Sequence, residues 1–312
     1  MGFFQSLFGG NSTPQAEQEK KFDILKYDGI RAMRIGKLTY AIKCFEEATA
    51  LREDPETMRH QANTYIRVNR LDDARKLLER MTELTPDEDE AFRSLAALCY
   101  MQEDYTAMEA ACRKAIELDE RNAASYFLSA KAALGMRNDL QAIAMLTKAI
   151  LQDDTFAEAY QLRAEVLWNL RQPKEAYADI EKLLELNPED ESALVLKAEI
   201  TAADRHKEEA LQTLDSVLAL NPFNEKAYLL KAAILSDNGQ TDEAIAVLDE
   251  ALETQPGFAK GYHERGRLKL QKGDKEGSIE DMKKAMELAP ENGAGINGEY
   301  HNYEQPGKNI PF

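Results

Sequence analysis

The chain is poor in the residues that punctuate strands. Ten prolines and sixteen glycines in 312 residues, most at regular places, disfavour a many-stranded fold built on frequent tight turns. Basic residues are in deficit as well. A formal charge of −17 argues against nucleic acid as a partner, because phosphate contacts need a basic face that releases counterions. It argues equally against contact with an anionic membrane surface. Cysteine is scarce: Cys44, Cys99 and Cys112 are an odd number with no CxxC pair, and all three sit among apolar residues. Buried free thiols are therefore expected, rather than a disulfide framework or a metal centre. That pattern suits a reducing compartment. No run approaches the length of a membrane span. The opening Met1-Gly-Phe-Phe-Gln-Ser-Leu-Phe-Gly-Gly has no basic residue and too short an apolar run for a secretory signal. The expected location is cytoplasmic.

What is present is a repeat. A small residue recurs as Gly29, Ala62, Ala96, Ala130, Ala164, Ala198, Ala232 and Gly266, at 34-residue intervals after a first step of 33. Twelve residues on in each unit come Ala41, Ala74, Met108, Ala142, Ala176, Ala210, Ala244 and Ser278. Four later lie Phe45, Leu78, Cys112, Leu146, Ile180, Leu214, Leu248 and Met282, all apolar. Pro86, Pro188, Pro222, Pro256 and Pro290 close five units. The apolar spacing within a unit is helical. Small residues let two antiparallel helices cross closely, and Gly36, Asn69, Gly239 and Gly273 tolerate the left-handed conformation that ends a helix. Proline then stops the second helix.

This pattern resembles the tetratricopeptide repeat family, whose period is 34 residues, from about Phe22 to Pro290. It is all-α, with units at about 22–54, 55–88, 89–122, 123–156, 157–190, 191–224, 225–258 and 259–290. Residues 1–21 are expected to be a flexible N-terminal segment with a short apolar helix (Phe3, Phe4, Leu7, Phe8), and 291–312 a Gly/Pro-containing tail. The family's tryptophan near the start of the first helix is absent throughout. Met108 and Ser278 replace alanine, so the third and eighth units are where irregularity is expected. The resemblance implies a right-handed α-superhelix, or solenoid, whose first helices line a concave groove that binds peptide segments of other proteins.

Chemistry is not evident. Gly293-Ala-Gly-Ile-Asn-Gly has the spacing of a dinucleotide-binding loop but neither the strand before it nor the helix after it. His60, His206, His263 and His301 lack metal-ligand spacing, and Asp87-Glu-Asp-Glu lacks the alternation and glycine of a calcium loop. Met1-Gly2 with Ser6 fits an N-myristoylation pattern too short to carry weight. No catalytic residue, cofactor, metal or small-molecule substrate is expected.

Transferring the family's groove positions places Lys26, Arg34, Arg59, Asn63, Arg67 and Arg93 on the inner wall of the first three units. The acids at these positions, Asp23, Glu56 and Glu90, stand at helix starts that favour them anyway. Phe22 to Asn122 as a whole holds more acids than bases, so the bases are concentrated on that wall, free to meet a ligand or paired with neighbouring acids such as Glu56. Phe127 and Trp168, the one tryptophan, fall on the same face further along, as ligand anchors or as packing. The expected function is a non-enzymatic scaffold or adaptor holding an acidic or amphipathic segment of a partner protein. The alternative is a structural protein that self-assembles through its tail or terminal repeats.

Overall fold

The computed structural model describes residues 13–289; the short apolar helix expected around Phe3, Phe4, Leu7 and Phe8 and the tail 291–312 lie outside them. The described residues form sixteen helices and no strand. They are α1 (Pro14–Arg34), α2 (Leu38–Leu51), α3 (Pro55–Arg67), α4 (Leu71–Leu84), α5 (Asp89–Met101), α6 (Tyr105–Leu118), α7 (Ala123–Gly135) and α8 (Asp139–Gln152). There follow α9 (Ala157–Asn169), α10 (Pro173–Leu186), α11 (Glu191–Ala203), α12 (Lys207–Leu220), α13 (Glu225–Asp237), α14 (Thr241–Thr254), α15 (Ala259–Gln271) and α16 (Lys275–Leu288). The helix starting at Pro14 is 21 residues long where every other first helix has 13, so it begins eight residues before Phe22.

Helix starts follow from side chains that accept orphan backbone N–H groups. Asp54, Asp104, Asn122, Asn138, Asp190, Asn224 and Asp274 each cap the helix that follows. Pro14, Pro55 and Pro173 occupy first-turn positions, where a missing N–H costs nothing.

The helices form two compact units that divide at Val166 and Leu167, inside α9. In the first, each helix from α1 to α8 packs on its chain neighbours, and first helices of adjacent pairs also touch, α1 on α3 and α5 on α7. In the second, α10 to α16 do the same, with α11 on α13 and α13 on α15. Ala62, Ala96 and Ala130, and in the second unit Ala198 and Ala232, are wholly buried at the crossings. Phe45, Cys112, Leu146, Leu214 and Leu248 are wholly buried beneath them.

One expectation is corrected. Met108 and Ser278 were to mark irregular units, yet α6 and α16 have the 14 residues of the other second helices and both side chains are buried. The methionine enters the core at no cost to the helix because it is unbranched and adaptable, and serine is nearly as small as the alanine it replaces. The left-handed turns expected at Gly36, Asn69, Gly239 and Gly273 are present, with φ of 78°, 60°, 78° and 94°, and other turns adopt the same conformation without glycine or asparagine. Glu103, Arg137, Arg171 and Arg205 take positive φ of 57°, 59°, 59° and 65° at the place held elsewhere by Gly36, Asn69, Gly239 and Gly273. Each such turn is closed by a bond from the next residue back over five, as in Asn138 N–H to Ala133 C=O at 2.8 Å. Recovering a helix-end carbonyl in this way offsets the left-handed strain of about 1–2 kcal/mol.

Candidate functional site

The six polar residues expected on the inner wall all lie in the first unit, on α1, α3 and α5, and the structure sorts them into two classes. Lys26 is buried at 8% exposure. Its ammonium donates to Asp54 at 3.2 Å and Glu56 at 2.5 Å. Asp54 is also the cap of α3, accepting from the Thr57 amide and hydroxyl, so this lysine fastens α1 to the start of the next pair. Burial works against its charge, but the bonds to Glu56 and Asp54 outweigh it and hold the ammonium above its ordinary pKa. Arg59 pairs with Glu90, one unit on. Arg93 stays on its own helix, donating to Asp89 at 2.8 Å, a carboxylate that also takes the Asn122 amide at 3.0 Å. These three bases are neutralised.

The second class is Arg34, Asn63 and Arg67, all exposed. Arg67 donates to the Met33 carbonyl at 3.1 Å, which brings the ends of α3 and α1 together. Among the described residues neither arginine meets a carboxylate. Their cations also stand at helix C-termini, where the dipole favours them. Between the two classes lies His60, its ring stacked on Phe45 at 6.0 Å. Burial first, then the charges of Arg59, Lys26 and Arg34, push this imidazole below its ordinary pKa against the pull of Glu56.

The aromatic residues are placed differently. Phe127 is half-buried, with its ring 5.1 Å from that of Phe156, so it packs within the first unit. Trp168 is half-buried on α9. Sequence reasoning missed Tyr100 and Met101 at the end of α5, 40% and 50% exposed. The Lys131 ammonium lies 3.7 Å from the Tyr100 ring, a cation–π contact on one side of it. The groove register does contain both residues, Met101 at the same place as Arg34 and Arg67 and Tyr100 one position before it, so the signal was available.

In the second unit the corresponding positions offer less. Val195 is buried and Leu229 packs against the core, while Glu199 meets Lys226 at 2.9 Å. The three cysteines are buried free thiols. Among the described residues no cluster of His, Cys, Asp and Glu could hold a metal ion, and no helix is long and apolar enough to cross a membrane.

Family models of the tetratricopeptide repeat match residues 59–125, 157–190, 202–264 and 259–292. Among solved structures, a tetratricopeptide repeat protein from Parabacteroides merdae is similar over 75% of this chain and 93% of its own, with 18% identity and a TM-score of 0.61. Pseudomonas aeruginosa pilF is similar over 65% of this chain and 92% of its own, at 20% identity and a TM-score of 0.55. The Cut9 and Hcn1 hetero-tetramer of the APC/C is similar over 81% of this chain and 50% of that one, at 11% identity and a TM-score of 0.55. At these identities the likeness is one of fold. No curated protein matches the chain in sequence.

Proposed function

The chain belongs to the tetratricopeptide repeat family, an architecture of protein-interaction scaffolds, and from that membership we propose that its first unit holds an acidic segment of a partner protein. The observation that carries this reading is the separation of the bases. Lys26, Arg59 and Arg93 spend their charge on Glu56, Glu90 and Asp89, while Arg34 and Arg67 keep theirs exposed, with Asn63 beside them on the first-helix face. The binding set is thus narrower than the full wall. Arginine suits carboxylates because its planar fork donates two bonds at once, and a local positive patch on a chain of charge −17 steers encounter with anions.

The test is fluorescence anisotropy of a labelled oligoglutamate peptide, with oligolysine and oligoserine as controls. Oligoglutamate alone should bind, and its affinity should fall as salt rises, because exposed charges are screened within about 8–10 Å near physiological ionic strength. Reversing Arg34 and Arg67 together to glutamate should abolish binding and leave the helical circular dichroism unchanged. Equal binding by the double variant across a salt series would mean that these arginines are ordinary surface.

A further inference from the structure

The outer face of α8 departs from the rest of the array. Leu140, Ala144, Thr147 and Leu151 follow one another at steps of four, three and four, so they line one side of this helix, and all four are exposed. Leu140 and Leu151, at 73% and 78%, are the most exposed large apolar side chains among the described residues. At the same four register positions every other second helix carries at least two charged residues, as in Lys174, Glu181 and Glu185 of α10 or Glu276, Glu280, Lys283 and Glu287 of α16. α8 carries none. Covering the stripe strands no polar group: the Thr147 hydroxyl donates to the Ile143 carbonyl at 2.8 Å and accepts from Arg163 at 3.0 Å.

Steps of four, three and four are the seam of a coiled coil, and they read the same from either end. Turned antiparallel against itself, the stripe sets Leu140 of one copy against Leu151 of the other and Ala144 against Thr147. The small central pair lets the two helices approach closely. The charges favour the same direction. Arg137 stands in the turn before α8 and Asp154 in the turn after it, both exposed, and neither is in an ion pair among the described residues. Antiparallel pairing brings Arg137 of each copy to the end of α8 that carries Asp154 of the other. Parallel pairing would set each of these charges, and Lys148, against its own copy, and like charges so placed repel. α8 is already held on the core through Leu146, so pairing orders little chain.

We infer that the chain forms a two-fold homodimer in which α8 packs antiparallel on α8 of a second copy. A two-fold contact requires a self-complementary patch, and this stripe is one. It lies on a second helix and shares no residue with the proposed acidic-segment site. Two 14-residue helices cover less than the roughly 1,600 Å² of a standard interface, so the dimer should have micromolar affinity and dissociate on dilution.

Sedimentation velocity of the full chain across the micromolar range should show a monomer–dimer equilibrium. Leu140→Glu with Leu151→Glu should keep the chain monomeric throughout and leave the helical circular dichroism unchanged, because both side chains lie outside the core. Arg137→Asp and Asp154→Arg should each weaken the dimer a few-fold, exposed ion pairs being individually weak, and the two changes together should restore it. Under mild oxidation a mixture of the Leu140→Cys and Leu151→Cys variants should cross-link, whereas neither variant alone should, the native cysteines being buried. Cross-linking of either variant alone as readily as the mixture would overturn the antiparallel register. A chain that stays monomeric at every concentration, or a dimer untouched by the double glutamate variant, would overturn the interface itself.

Discussion

Replacing Gly29 with alanine sets two effects against each other. The glycine lies inside α1, where alanine is intrinsically better by about 1 kcal/mol. The new Cβ, however, would lie 2.6, 2.8 and 2.9 Å from three atoms of the Phe45 ring. That ring has no exposed surface and stacks on His60, so it cannot swing aside without displacing a second ring. Overpacking costs about 1–3 kcal/mol, and contact with three ring atoms places this site in the upper half of that range. The net expectation is a loss of about 1–2 kcal/mol. Because units in such arrays depend on their neighbours, the loss should be local. Amide hydrogen exchange in α1, α2 and α3 should quicken about five- to thirtyfold, with α12 to α16 unchanged. Gly257→Ala is the control, since nothing lies within 4 Å of its added Cβ. Trimming the ring as well, in Gly29→Ala with Phe45→Leu, should restore part of the loss if the two sites are coupled. Unchanged or slower exchange in the single variant would show that the Phe45 ring yields freely, and the close-crossing account of this position would fail.

Three further outcomes are expected. Asp281 is buried, which disfavours its charge, but bonds from Arg265 at 2.6 and 2.8 Å and from Lys269 at 2.9 Å hold its carboxyl below the ordinary pKa. A lowered folded pKa contributes stability above the unfolded value near 4 that is lost as pH falls through the folded one. Asp281→Asn should therefore destabilise the second unit at pH 7, toward the low end of about 3–5 kcal/mol because Asp249 still holds Arg265. It should also flatten the acid limb of the melting curve below about pH 4, and an unchanged acid limb would contradict the network. Gly239→Ala, at φ 78° in open space, should cost about 1–2 kcal/mol of backbone strain, read as a lower urea midpoint. Arg137→Gly should leave stability unchanged or slightly raised, and the reverse order would count against left-handed strain. Burial pushes the Cys112 thiol up to about 12, so alkylation of the folded chain at pH 8 should be undetectable at this residue until denaturant is added; prompt reaction would mean the site opens readily.

The fold was legible because every unit repeats the same compromise between small and large residues. Ala62, Ala130 and Ala232 fell where crossings needed them, and the 34-residue register carried the helices with them. The turns were half legible. Gly36 and Asn69 announced a left-handed residue, whereas Glu103 and Arg137 did not, because the same closing bond is made in all four turns and lets an ordinary side chain stand at that place. Charge was the least legible feature, since a helical wheel gives the direction of a side chain and not its partner. Still, the register held a usable signal. Lys26 meets Glu56 thirty residues on and Arg59 meets Glu90 thirty-one residues on, a base on one first helix reaching an acid at the start of the next. Where the next unit begins with Ala124 instead, Arg93 turns back to Asp89. Arg34 and Arg67 stand at the far ends of their helices, away from those acidic starts. On the groove face of α1, α3 and α5, therefore, the bases near helix starts are committed and those at helix ends are available, which selects the two arginines on which the proposed binding site rests.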